Sequence, residues 1–268
     1  AWAAYMMVQA KGGLPLSASA PEVAVTSSDF SFAIASDMRS YAGSGTYDSP
    51  SYFRGAAEKI AEIGTTDFMI SPGDLDHPEN AVWTIENYIG EDYLWYPVVG
   101  NHDINWYILS WLMDYDYGRV NPGPSACPNT TYSFDHENAH FVVLNVYCNR
   151  FGVRATDGDI SGHLYDWLAA DLEATDQEHI FVFGHEPAFP QADPETGLER
   201  HIGDSLDAYP NRRDRFWQLL DDHDVVFYGC GHTHMFSLTQ VNNVWQLDAG
   251  HASGLGYSGI PSTFVIVT

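Results

Sequence analysis

The sequence predicts an α/β fold built on buried, mixed sheets, and three observations carry this. Short apolar runs alternate with amphipathic helical patterns along most of the 268 residues. The chain is 45% hydrophobic and 14% aromatic, enough to fill a large core. The C-terminal part is rich in strand patterns with no intervening helix, which points away from a purely parallel arrangement.

Taken in order, residues 30–36 read as a strand ended by Asp37, and 51–63 as an amphipathic helix. Residues 67–70 form the next strand, stopped by Pro72-Gly73, and 81–89 a helix. A strand over 96–99 ends at Gly100, and an aromatic helix follows over 104–113. Beyond a Pro- and Gly-rich loop come strands at 132–135 and 140–146, a helix at 163–173 and a strand at 179–183. A helix at 212–220 and a strand at 225–228 lead to a tail of three strands, 236–240, 244–247 and 264–267. No repeat, low-complexity tract or linker divides the chain. Residues 1–29, rich in small residues, read as an N-terminal extension, and 30–268 as one domain.

The formal charge is −25, from 36 acids against 11 bases, and only Lys11 and Lys59 are lysines. Such a surface repels nucleic acid and anionic membranes, so neither is expected as a partner. It suits a salty environment, where screening relieves self-repulsion, as well as simple solubility. No run of the length needed to span a membrane is present. Cys127 and Cys148 flank a hairpin pattern and are placed to form one disulfide; three buried thiols, with Cys230, is the alternative. Asn129-Thr130-Thr131 matches a glycosylation sequon. The start at Ala1, with no basic segment ahead of it, reads as a processed protein or a trimmed piece, and processing fits secretion.

The informative feature is where metal-capable residues fall. Asp37, Asp74, Asn101 with His102, His185, and His232 with His234 each follow an apolar run. In an open α/β sheet, ligands bind beyond the carboxyl ends of strands, so five strand ends would deliver these groups to one rim. Carboxylate, amide oxygen and imidazole suit Zn, Mn or Fe, divalent or mixed-valence. An Asp can bridge two ions roughly 3.5–4 Å apart, which clamp both oxygens of an in-line displacement and make hydroxide available near neutral pH. Each residue alone is a turn former, a helix cap or an ordinary histidine. Their joint order is what argues for a site.

In this order the residues resemble the calcineurin-like metallophosphoesterases: Ser36-Asp37, Gly73-Asp74, Gly100-Asn101-His102-Asp103, Gly184-His185 and Gly231-His232-Thr233-His234. The resemblance implies a four-layer α/β/β/α sandwich, two mixed sheets flanked by helices. It implies that Asp74 bridges two metal ions, that Asn101, His185 and His232 complete one, and that Asp37 and His234 bind the other. His102 would stand beside the leaving oxygen or phosphate, oriented by Asp103, which would also suit a cap for the following helix.

One departure matters. Many members have a histidine two residues after the first Asp, where this chain has Arg39, which offers no lone pair to a metal. Purple acid phosphatases, a branch of the same superfamily, use instead a Tyr three residues after the bridging Asp. Here that position is His77, which we expect as the replacement ligand, with Asp76 as the lesser candidate. Without a Tyr ligand, no purple colour is expected. Arg39 is then free to contact a substrate phosphate or to pair with a surface acid.

The expected substrate is a small phosphate ester, mono- or diester. Segments 106–134 and 186–211 are expected to wall the pocket, with aromatics suited to stacking or, for Trp106 and Trp111, to core packing. His201 and His251 lie in loops able to reach the rim. Two further readings are a pseudoenzyme or binding module lacking one metal, and a metal-dependent hydrolase acting on a non-phosphate bond.

Overall fold

A computed structural model of the chain describes residues 2–7, 30–38, 53–64, 66–75, 77–118, 120–149, 152–153, 157–160, 162–253 and 262–268. Five strands form the first sheet: β1 (Trp2–Met7), β2 (Phe32–Ile34), β3 (Phe68–Ser71), β4 (Leu94–Pro97) and, from the C-terminus, β14 (Ser262–Val267). Their order is β1-β14-β2-β3-β4, with only the β14–β2 pair antiparallel. The second sheet holds β5 (Asn121–Pro122), β6 (Tyr132–His136), β7 (Ala139–Val143), β10 (His179–Phe183), β11 (Phe227–Cys230), β12 (Phe236–Val241) and β13 (Val244–Ala249). Its order is β12-β13-β11-β10-β7-β6-β5, parallel at the centre and antiparallel at both edges. A small ribbon, β8 (Cys148–Asn149) with β9 (Gly152–Val153), stands apart. Both sheets are mixed, as expected. The stretch 1–29, read as an extension, contributes β1 as an edge strand paired with β14.

The two-residue period of strands sorts the core into layers. Phe32, Ile34, Phe68 and Ile70 of the first sheet meet Phe141, Val143, Phe181, Phe183 and Phe227 of the second in one buried cluster. Phe32 stands edge-on to Phe141 at 5.2 Å and to Phe181 at 5.5 Å, the geometry the ring quadrupoles favour. The alternate residues face outward to helices. Ala33, Met69 and Trp95 share their cluster with Phe53, Ala56 and Ile60 of α1 (Phe53–Ile63) and with Ala81 and Ile85 of α2 (Pro78–Tyr88). Val142, Val182 and Tyr228 share it with Leu164, Leu168 and Leu172 of α4 (Gly162–Ala174) and Phe216, Trp217 and Leu220 of α5 (Pro210–Asp222). The sheets thus pack face to face between helices. The remaining helix, α3 (Trp106–Asp114), begins at Asn105, whose side chain accepts the Ile108 N–H at 3.0 Å.

Cys127 and Cys148 are bonded, 21 residues apart around the β6–β7 hairpin, and Cys230 is a buried free thiol. A loop of that size restricts the unfolded chain by about 3 kcal/mol. No helix among the described residues is long and apolar enough to cross a membrane.

At the β7 edge, His140 is a buried imidazole held between two carboxylates. Nδ1 lies 2.6 Å from Asp135 and Nε2 3.0 Å from Asp171, which also accepts from Ser133 and Asn121. Burial opposes a charge there, but Asp171 and Asp135 outweigh it and hold the His140 pKa above its ordinary 6.5. The charged form is therefore favoured by folding. Its stabilisation is fully present below about pH 6.5 and is lost as pH rises through the folded-state value. We expect His140→Gln to cost about 1–3 kcal/mol at pH 6, with the deficit shrinking by pH 9. Denaturant midpoints for both proteins across that range check this; a pH-independent deficit contradicts it.

Candidate metal centre

The functional side chains sit where backbone turns sharply off the strand ends. Among the described residues, eight non-glycine positions have positive φ, and Asp37, Asp74, His201, His232 and His234 are five of them. Such conformations cost roughly 1–3 kcal/mol each and persist only where the surroundings over-determine them. Their gathering at one rim marks a site that the rest of the fold sustains.

The glycines beside them are required by contact. A Cβ on Gly231 would collide with Ser36 Oγ and Asp37 Oδ2. One on Gly100 would run into the backbone nitrogen and Oδ1 of Asp74, and one on Gly73 into the His185 ring. The glycines of three motifs are thus what lets three loops touch. We expect Gly231→Ala to push Asp37 off position, lower stability by about 1–3 kcal/mol and cut metal retention. Thermal unfolding with elemental analysis tests both; unchanged values for both would refute the steric reading.

Around Asp74 the donors form two groups. In the first, ligand atoms of Asp37, Asp74 and His234 lie within 4.8 Å of one another, all three residues buried. Asp37 Oδ1 stands 3.2 Å from His234 Nε2 and is buried without a hydrogen bond. Its Oδ2 accepts from Ser36 Oγ at 2.7 Å and the His232 backbone N–H at 2.9 Å. In the second group His185 Nε2 is central. It lies 3.1 Å from Asn101 Oδ1, 3.2 Å from His232 Nδ1 and 3.5 Å from Asp74 Oδ1. His185 Nδ1 donates to the Pro72 carbonyl at 2.6 Å, which turns Nε2 into the site.

The electrostatics match an anionic bowl. Although burial works against it, the charges of His234 and His185 hold the Asp37 carboxyl well below the usual carboxylate range. Burial likewise opposes charge on His185, yet Asp74 and Asp37 raise its pKa. Burial, then His185, pushes His232 well down. Burial and His234 hold His251 at about 4.

Asp103 stands between two of the site's loops. It is fully buried, and its carboxylate accepts the backbone N–H groups of Gly100 at 2.8 Å and Leu75 at 3.0 Å. It therefore ties the Asn101 turn to the Asp74 loop, and burial together with the Asp74 charge lifts its pKa to about 8. It does not cap α3, which is Asn105's place. Like His251, His77 stands outside the Asp37–Asp74–His234 group. It precedes Pro78 at the start of α2 with extended backbone, as a residue before proline prefers, and its exposed ring lies edge-on to Tyr107 at 6.1 Å. Arg39 and Asp76 lie outside the described residues.

His102 stands at the mouth. Its ring is 48% exposed with Nε2 3.8 Å from Asp74 Oδ2, while its backbone N–H donates to Asp74 Oδ1 at 3.0 Å. The His201 ring lies against that of His232, tilted by 30°, with centroids 3.8 Å apart. Arg200 donates to the Thr233 carbonyl at 3.0 Å, between the two histidines of the last motif. Trp106 is 80% exposed rather than packed in the core, whereas Trp111 stacks on Tyr115. Sequence reasoning passed over two supports. Ser36 Oγ fixes Asp37, and buried Asp248, at the end of β13, accepts from Thr233 Oγ1 at 2.6 Å and holds the last motif in place. Asp248 carries the same signal as the ligands, a polar residue ending an apolar run.

A family model described as calcineurin-like phosphoesterase matches residues 30–236. The chain belongs to the calcineurin-like phosphoesterases. Solved structures similar to it are distant in sequence and share the fold. A dimetal phosphatase from Danio rerio is 17% identical, with a TM-score of 0.59 over 88% of this chain and 91% of the other. Purple acid phosphatase PPD1 from yellow lupin is 14% identical, with a TM-score of 0.55 over 84% of this chain and 44% of that longer one. GAP50, described as the anchor in the inner membrane complex of Plasmodium, is 15% identical, with a TM-score of 0.55 over 88% and 80%. No curated protein matches the sequence.

The residues present fit the metal ions this phosphoesterase fold implies. A buried carboxylate oxygen with no hydrogen bond, three imidazoles and an amide oxygen converge on the second carboxylate. That donor set is borderline to hard, suited to Zn, Mn or Fe.

Proposed function

We propose that this phosphoesterase hydrolyses small phosphate esters at a dinuclear metal site. The observation that supports this most is the pair of donor groups joined through Asp74. Asp37 and His234 would hold one ion, Asn101, His185 and His232 the other, and Asp74 both. When bound, the two ions supply an activated water and positive charge for the phosphoryl oxygens.

The chain's own residues do the rest. Pro72 fixes the His185 tautomer, and Asp103 holds the Asn101 and Asp74 loops in register. His102, at the mouth, holds the proton that the leaving oxygen needs. Arg200 and His201 stand beside the last motif, where they would contact a phosphate group held at the site. Exposed Trp106, five residues beyond Asn101, offers a surface for an apolar or aromatic ester group. The acidic surface disfavours long nucleic acids. The Cys127–Cys148 bond supports an oxidising, extracytoplasmic location.

The test is direct. Purified protein is stripped with chelator, reloaded with Mn, Zn or Fe, and assayed on aryl phosphate mono- and diesters with elemental analysis alongside. Two ions per chain, turnover, and inhibition by orthophosphate or vanadate are expected. One ion or none, with no hydrolysis at any pH or metal, would instead favour a binding role on this fold, a use for which GAP50's description as an anchor gives a precedent.

A further inference from the structure

Asp37, Asp74 and His234 supply three protein ligands to the first donor group, and Arg39, which follows two residues after Asp37, cannot supply a fourth. We infer that His251 supplies it, in place of the histidine absent from the first motif. This rests on the two-ion reading above.

The placement comes from the backbone. His251 follows β13 across Gly250, whose φ is +74, so the chain turns inward directly after the strand. Two hydrogen bonds pin this turn. The Ala252 N–H donates to the Ser36 carbonyl at 2.8 Å, immediately before Asp37, and the Thr263 N–H donates to the His251 carbonyl at 2.8 Å. The loop is thereby fastened to the strand end that carries the first ligand. The ring itself lies 5.8 Å from the His234 ring, centroid to centroid, and is fully buried.

The two ring nitrogens differ. Nδ1 is 3.3 Å from Ser253 Oγ, whereas Nε2 is buried with no hydrogen-bond partner among the described residues. Buried polar atoms without partners are rare, and each calls for an explanation. With the Nδ1 proton donated to Ser253, the Nε2 lone pair is available, the tautomer arrangement that metal-bound histidines adopt. A structural histidine in this position would be expected to spend both nitrogens. His77, by contrast, is exposed and turned to Tyr107.

The experiment measures metal, not turnover. Stripped wild type, His251→Gln and His251→Ala are titrated with Mn or Zn, and bound ions are counted by elemental analysis. Wild type should hold two ions. Both variants should retain the second-group ion and lose the other by more than the roughly 10–100-fold that removing a mere positioning partner costs. A smaller loss, or none, in a folded variant overturns the inference while leaving the proposed function intact. Wild type holding fewer than two ions overturns both. If neither variant folds, cobalt-loaded wild type and His77→Ala are compared by paramagnetic NMR. Four exchangeable imidazole N–H signals in each, from His185, His232, His234 and His251, support the assignment; three in either refute it.

Discussion

Asp74→Asn should remove both ions and lower turnover on the order of 10³-fold or more. Asp74 is the residue the two donor groups share: its Oδ1 lies 3.5 Å from His185 Nε2, and its ligand atom falls within the Asp37–His234 group. Asn keeps the shape and one acceptor oxygen, so the His102 N–H that donates to Oδ1 retains a partner and the fold should survive. What disappears is the charge that offsets two cations at once, together with the second ligand oxygen. Loss of several kcal/mol of transition-state stabilisation corresponds to that rate factor, since about 1.4 kcal/mol is tenfold. Elemental analysis beside steady-state kinetics decides it. An Asn variant that keeps two ions and wild-type turnover would show that Asp74 is not the shared group.

His102→Ala should behave differently, leaving both ions bound while kcat falls about 10²–10⁴-fold. The ring is half exposed at the mouth and is not among the gathered ligand atoms, so its removal leaves the donor groups whole. In the proposed role it carries a proton to the departing oxygen, which gives the prediction a signature. Esters of acidic phenols leave as stable anions and need little help, whereas alkyl esters need the proton. The defect should therefore be small for p-nitrophenyl esters and large for alkyl esters. A deficit that is equal for both kinds of ester, or loss of metal from the variant, would rule out the proton-donor role.

Much of the site was legible because it follows a simple physical pattern. Apolar runs of strand length ending in Asp, Asn or His announce where a buried strand gives way to a polar rim, and Asp37, Asp74, Asn101, His185, His232 and His234 all sit at such ends. The glycines were legible too, although their reason was not. Only the fold shows that Gly231 touches Ser36, nearly two hundred residues earlier. The surroundings of His77 were not legible, for the opposite reason. It was placed by counting from Asp74, whereas Pro78 fixes the backbone ahead of it and starts a helix there. The partners of Asp103, Gly100 and Leu75, were not legible because they are met only when two loops come together.

By itself the sequence determined the α/β class, the order of nearly all strands and helices, and the chemical kind of the site, because periodicity and side-chain chemistry are local properties. It did not reveal that residues 2–7 would add an edge strand, that Trp106 would stand exposed, or that His251 would be buried with one nitrogen unspent. Those depend on which surfaces meet across the sandwich. Strand pairing, burial and the fate of each polar atom are set by contacts between segments far apart in the chain, and only the tertiary structure brings such segments together.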